Sequence, residues 1–218
     1  MNQVPRVLVW DIPVRVFHWL LVFLVAVSWW TGETGGTALR YHFWSGYAIL
    51  ALVLFRLGWG VIGSEPARFA SFLRGPRAVL ANLRALPRRT PDESLGHNPA
   101  GGWMIAALLA TLLVQIGSGL CANDDLFNEG PWYDLVSRSV SDTLTGLHHL
   151  NFGVLLTLVA LHVLAIVFHW RVKGENLVAP MFTGYKRRAA PPPRQTSAWY
   201  ALVLLALAAA ITGAAVNL

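Results

Sequence analysis

Five apolar runs dominate this chain, at residues 14–30, 43–62, 103–121, 149–170 and 198–216. Each is close to the roughly 20 residues that a helix needs to cross a hydrocarbon core about 30 Å thick. Lipid offers no partners to backbone N–H and C=O groups, so runs of this kind must be helical. Of the 218 residues, 55% are hydrophobic and 13% charged, with a mean hydropathy of +0.50, and the charges collect between the runs. The expectation is an all-α membrane protein, with a four-helix transmembrane bundle, a fifth C-terminal transmembrane helix and no separate soluble domain. The first run lacks a small-residue cleavage site and follows VLVWDIPVR, so it reads as retained.

The placement of arginine and lysine orients the bundle. Residues 63–102 hold Arg68, Arg74, Arg77, Arg84, Arg88 and Arg89, and the segment after the fourth run holds Arg171, Lys173, Lys186, Arg187, Arg188 and Arg194. Both segments are expected in the cytoplasm. Residues 122–147 carry Asp124, Asp125, Glu129, Asp134 and Asp142 against Arg138 alone, and are expected outside. The N-terminus is then cytoplasmic. The formal charge of +6 is a topology signal and an attraction to anionic membrane lipid. Arginines without interleaved stacking aromatics give no reason to expect a nucleic acid partner.

Between the runs, residues 73–86, LRGPRAVLANLRAL, read as a short amphipathic surface helix, and the proline-rich linker 189–197 separates the fifth run from the other four.

The fourth run, with its leading edge, reads GLHHLNFGVLLTLVALHVLAIVFHW and carries four histidines, at 148, 149, 162 and 169. Ionisable groups inside a span are costly and usually face the bundle interior for a functional reason. His148 and His162 are 14 residues apart, so they share a helix face about 21 Å apart in depth. His149 and His162 point to nearly opposite sides, and His97, His149 and His169 read as interfacial hydrogen-bonding residues. A single cysteine, Cys121, excludes a CxxCH covalent haem site, so any haem is held by ligation alone.

A six-coordinate haem iron takes its second axial ligand from another helix at matching depth. The start of the second run brings His42 level with His148, and the early first run brings His18 level with His162. Arg56 lies 14 residues after His42, on the same face and near the inner depth, where it is placed to pair with a haem propionate. Gly46 and Gly153 leave room for a flat macrocycle. Asp11 and Arg15 lie close to His18 and read mainly as surface residues.

WDIPVRVFHW at 10–19, YHFWSGYAILALVLFRLGWG at 41–60, GHNPAGGWM at 96–104 and LHHLNFGVLLTLVALHV at 147–163 resemble the prokaryotic cytochrome b561 family, which includes the b-type cytochrome subunits of nickel–iron hydrogenases. The resemblance covers about residues 7–188. It implies a four-helix domain there with two haem b groups; the 189–197 linker and the additional helix at 198–218 depart from it, since the family core does not require them. It also implies axial ligands at His18, His42, His148 and His162, iron as the metal, and a place in the bacterial inner membrane. The expected function is electron transfer between the quinone pool and a periplasmic redox partner, a c-type cytochrome or a hydrogenase-like subunit. On that reading the chain is the electron-transfer subunit of a quinone-linked oxidoreductase. Two alternatives stand beside it. One is a stand-alone superoxide:quinone oxidoreductase, disfavoured by the acidic outer loop and favoured by Arg40 beside His42. The other is a non-redox membrane transporter or scaffold, for which no paired repeats or broken helices speak.

Overall fold

The computed structural model describes residues 5–90, 94–126 and 128–217. Leu218 of the expected fifth segment and residues 91–93 of the basic segment lie outside the described residues. Among the described residues five helices are long and apolar enough to cross a membrane, and the chain is a multi-pass membrane protein. They are α1 (Ile12–Thr34), α2 (Leu39–Ile62), α5 (Pro99–Leu120), α6 (Arg138–Val172) and α8 (Ala198–Ala215). The described residues also form three short α-helices, α3 (Phe69–Phe72), α4 (Pro76–Arg84) and α7 (Val178–Thr183), two strands, β1 (Arg6–Leu8) and β2 (Tyr185–Arg187), and three single-turn 3-10 helices.

Side-chain caps set several of the starts. Asp11 accepts from Val14 N at 2.9 Å to open α1, and Asn98 accepts from Gly101 N at 2.7 Å to open α5. Gly35, with φ 64°, ends α1 in a conformation that costs a glycine little. The largest departure from the apolar runs is α6, which spans 35 residues and begins at Arg138 rather than near residue 149. Hydropathy marks only the stretch that needs lipid. The polar stretch SVSDTLTG continues the same helix because Ser137 caps it and Ser141 Oγ donates to the Cys121 carbonyl at 2.6 Å.

The helices α1 and α2 form one antiparallel hairpin, and α5 and α6 form another. The central helix α2 touches α1, α5 and α8; half of its apolar window is buried, against 11% for α1 and for α6. The fifth helix lies directly along α2, where a Cβ on Gly58 would stand 3.1 Å from Leu204. Small residues at such crossings let helices approach closely without a hydrophobic drive from water. Phe23 and Trp30, among many exposed apolar side chains, face outward as lipid requires.

The two ends of the bundle are built differently. At the N-terminal end, where α1 begins, β1 pairs antiparallel with β2, and Val9 N and Trp10 N donate to the Gly184 carbonyl. The proline-rich segment is tied to this end: Arg194 N donates to Glu65 Oε2 at 3.0 Å, Thr196 N to Ser64 Oγ at 3.0 Å, and Gln195 Nε2 to the Leu8 carbonyl at 3.1 Å. The expected amphipathic helix is present as α4, with Leu80 and Leu83 exposed along it. At the opposite end Trp132 Nε1 donates to the Ala215 carbonyl at 2.6 Å, fastening the 121–137 loop to the end of α8.

Candidate functional site

At the opposite end, α2 and α6 bring His42 and His148 together. Their ring centroids are 6.0 Å apart and the planes cross at 73°. Each ring is fixed by its Nδ1 atom on a main-chain carbonyl: His42 to Ser28 at 2.8 Å, and His148 to Gln115 at 2.9 Å. A carbonyl accepts only, so Nδ1 carries the proton and Nε2 keeps its lone pair for a metal. Further polar contacts brace the supports, since Ser28 Oγ meets Ser45 Oγ at 2.6 Å and Asn151 Nδ2 donates to Gln115 Oε1 at 2.7 Å. Two glycines make room for the rings. A Cβ on Gly119 would stand 2.8 Å from His148 Cε1, and one on Gly32 would stand 3.0 Å from His42 Nδ1.

The N-terminal end holds a second cluster. His18 on α1 and His162 on α6 are close enough for their charged forms to repel, and His97, two residues before α5, lies within the same electrostatic range of both. His18 Nδ1 is buried without a hydrogen-bond partner among the described residues. Arg56 is only 2% exposed, lies with its guanidinium carbon 5.0 Å from the Phe69 ring centroid, and has a buried Nη1 with no hydrogen-bond partner among the described residues. It does not snorkel to the interface. The Phe17 and Phe55 rings meet at 6.4 Å, which sets the neighbouring His18 and Arg56 at one level.

Asp11 corrects the expectation of a surface role. It is 7% exposed, caps α1, and accepts from Trp59 Nε1 at 3.0 Å, while Trp59 is itself fully buried. Its charge acts on Arg56. Arg15 donates to the Phe182 carbonyl and is partly exposed. The importance of Asp11 is hidden in sequence because its partners, Trp59 and Arg56, come from the far end of another helix.

The remaining histidines separate by environment. His149 is exposed and His148 is turned into the bundle. His169 is buried within the bundle near the end of α6; its Nδ1 meets its own helix at the Ala165 carbonyl, 2.8 Å away, and its Nε2 has no partner among the described residues. His97 packs between Trp10 and Phe72 at 4.7 and 5.0 Å, a setting that its place in a polar loop did not reveal. Burial, then the charges of Arg56 and Lys186, hold its imidazolium down to a pKa of about 3. Arg40 stays exposed and stacks over Tyr41 at 4.6 Å.

Among the described residues no three of His, Cys, Asp and Glu converge on a point. Paired imidazoles without a third protein donor suit an iron whose other four positions belong to a macrocycle. Unpartnered buried donors on Arg56 suit carboxylates at the edge of such a group. Fold and donor set together define a membrane b-type cytochrome, a carrier of electrons through haem b. The chain belongs to the prokaryotic cytochrome b561 family, whose model matches residues 9–184. It is 25% identical to a probable Ni/Fe-hydrogenase B-type cytochrome subunit of Bradyrhizobium diazoefficiens, over 84% of this chain and 87% of that one. A protein of the same description from Azotobacter vinelandii is 23% identical over 83% and 88%. A probable superoxide oxidase CybB of Yersinia pestis is 25% identical over 75% and 90%. No solved structure matches the chain significantly.

Proposed function

We propose that this chain is a di-haem cytochrome that moves electrons across the inner membrane between a periplasmic redox protein and the quinone pool. The observation that carries the reading is the meeting of His42 and His148, each with Nδ1 fixed on a carbonyl and Nε2 left for iron. His18 and His162 would hold the second haem b, about four helical turns deeper along α6. Bound haem b supplies a one-electron ferric–ferrous couple at each pair. With a histidine on each side, a bound haem would keep no open position for oxygen chemistry, which supports reading the chain as an electron carrier. Arg56 would offset propionate charge at the deeper pair, and Asp11 holds Arg56 and Trp59 in place. The arginine-rich N-terminal end lies in the cytoplasm under the positive-inside rule.

The hydrogenase named in the relatives' descriptions makes a hydrogenase-like electron donor the favoured periplasmic partner. A c-type cytochrome fits the same acidic outer loop. The superoxide reading draws on the Yersinia relative and on exposed Arg40 beside His42. It ranks second because Asp124, Asp125, Glu129 and Asp142 repel an anion approaching that end. The deciding experiment is the ratio of haem b to polypeptide in the purified protein, by pyridine haemochrome absorbance against amino-acid analysis. A ratio near two supports the reading; a ratio near one breaks one pair, and near zero after haem-supplemented expression removes it.

A further inference from the structure

Helices α1 and α5 carry one pattern in one register. VSWWTG at 27–32 and VQIGSG at 114–119 share a valine, a hydroxyl residue and a following glycine, and each residue of the second stretch stands 87 places after its counterpart. The same offset relates the helix caps, Asp11 and Asn98. Thr31 and Ser118 therefore both lie 20 residues beyond their caps, about 30 Å along the helix and at the far end of the span.

The pattern opens a main-chain carbonyl to a neighbouring helix. Helical side chains lean toward the N-terminus and cover the preceding turn, so the carbonyl of residue i is screened by residues i+3 and i+4. Here those positions hold a small hydroxyl residue and a glycine. His42 Nδ1 reaches the Ser28 carbonyl at 2.8 Å past Gly32, and His148 Nδ1 reaches the Gln115 carbonyl at 2.9 Å past Gly119. The hydroxyls converge on the same two oxygens. Thr31 Oγ1 donates to the Val27 carbonyl at 2.7 Å and to the Ser28 carbonyl at 3.3 Å, and Ser118 Oγ to the Val114 carbonyl at 2.7 Å and the Gln115 carbonyl at 3.1 Å. Both residues are 3% exposed, so water does not replace these bonds. Ser118 Oγ also stands 3.4 Å from His148 Nδ1, beyond the usual range of an N–H···O bond.

We propose, resting on the two-haem reading, that Thr31 and Ser118 are positioning residues that set how strongly His42 and His148 donate to one iron. A carbonyl oxygen has two lone pairs, and in a helix it already serves the N–H four residues on. With the imidazole N–H added, the hydroxyl is a third claimant, and it weakens the hold on Nδ1. A firmly held Nδ1–H makes the ring a stronger donor and favours ferric iron, so each hydroxyl moderates that effect on its own histidine. Neither hydroxyl touches the haem position itself. Each acts through a ring carried by another helix, α1 on His42 of α2 and α5 on His148 of α6.

Potentiometric titration of the purified full-length protein with haem bound, followed by EPR, tests this; the signal lost in His148→Ala marks the haem concerned. Thr31→Val and Ser118→Ala remove the hydroxyls and leave the carbonyls open. Both exchange one neutral side chain for another, so the charges of Arg40, Arg138 and the acidic loop are common to variant and wild type. Each is expected to lower the potential of that haem alone, by about threefold in the electron equilibrium, about 28 mV at 59 mV per decade. The two factors multiply in the double variant, because the hydroxyls sit on separate helices. Thr31→Ser and Ser118→Thr keep a hydroxyl and should keep the wild-type value. An unchanged or raised potential in either hydroxyl-free variant, a shift of the other haem, or a fall in Thr31→Ser as large as in Thr31→Val overturns the proposal. Loss of that haem from Thr31→Val overturns it too, since the hydroxyl would then be needed for binding rather than for donor strength. A wild-type haem ratio below two, or one that His148→Ala leaves unchanged, defeats the two-haem reading itself, whereas two haems with unshifted potentials defeat the role of the hydroxyls alone.

Discussion

His42 and His148, 106 residues apart in the chain, stand with ring centroids 6.0 Å apart at one end of the bundle. Neither is free to turn, because each Nδ1 is committed to a carbonyl. On the proposed reading, His148→Ala lowers the haem ratio from about two to about one, since the loss of an axial ligand leaves the iron held on one side. His149→Ala leaves the ratio unchanged, because that ring is exposed. Pyridine haemochrome absorbance of the two variants checks the pair, and loss of haem in His149→Ala with both retained in His148→Ala would reverse the assignment.

Gly119 is the tightest support for His148. A Cβ there would come within 2.8 Å of Cε1, so Gly119→Ala pushes the ring off the Gln115 carbonyl. The expected cost is about 1–3 kcal/mol, of the order seen for overpacking. It should appear as a changed low-spin EPR signal for one haem and weakened retention of it. Gly213→Ala, where a Cβ meets nothing within 4 Å, is the matched control and should leave the spectrum intact.

Asp11 joins three structures with one carboxylate. Asp11→Ala removes the α1 cap, the acceptor for Trp59 Nε1 and the charge facing Arg56. A lost cap costs about 0.5–2 kcal/mol and a buried unpaired donor about 1–3 kcal/mol. Thermal unfolding in detergent, followed by tryptophan fluorescence, should show a fall of several degrees, with Asp11→Asn intermediate because it keeps an acceptor oxygen.

His97 ties stability to pH. Its pKa falls from 6.5 to about 3 in the fold through burial, with Arg56 the next cause. The folded protein therefore keeps it neutral while the unfolded chain binds a proton below about pH 6.5. Its contribution is complete above that pH and declines as pH falls toward 3, by at most about 1.4 kcal/mol per pH unit. Melting temperatures measured between pH 7.5 and 5 should fall less steeply for His97→Phe than for the wild type.

Much of this protein could be read from its sequence, because membrane helices obey local rules. Twenty apolar residues in lipid have one way to satisfy their backbone, and a 14-residue spacing places two side chains on one helix face whatever the helix packs against. The five helices, the inward turn of His148 rather than His149, and the family membership all follow from such short-range regularities. The burial of Arg56 and Asp11, the carbonyls of Ser28 and Gln115 that hold the ring nitrogens, and the seating of His97 between Trp10 and Phe72 do not. Each depends on which residue of a distant helix arrives at the same depth. Interhelical register is set by side-chain packing along the whole length of α2, so only the tertiary structure decided it.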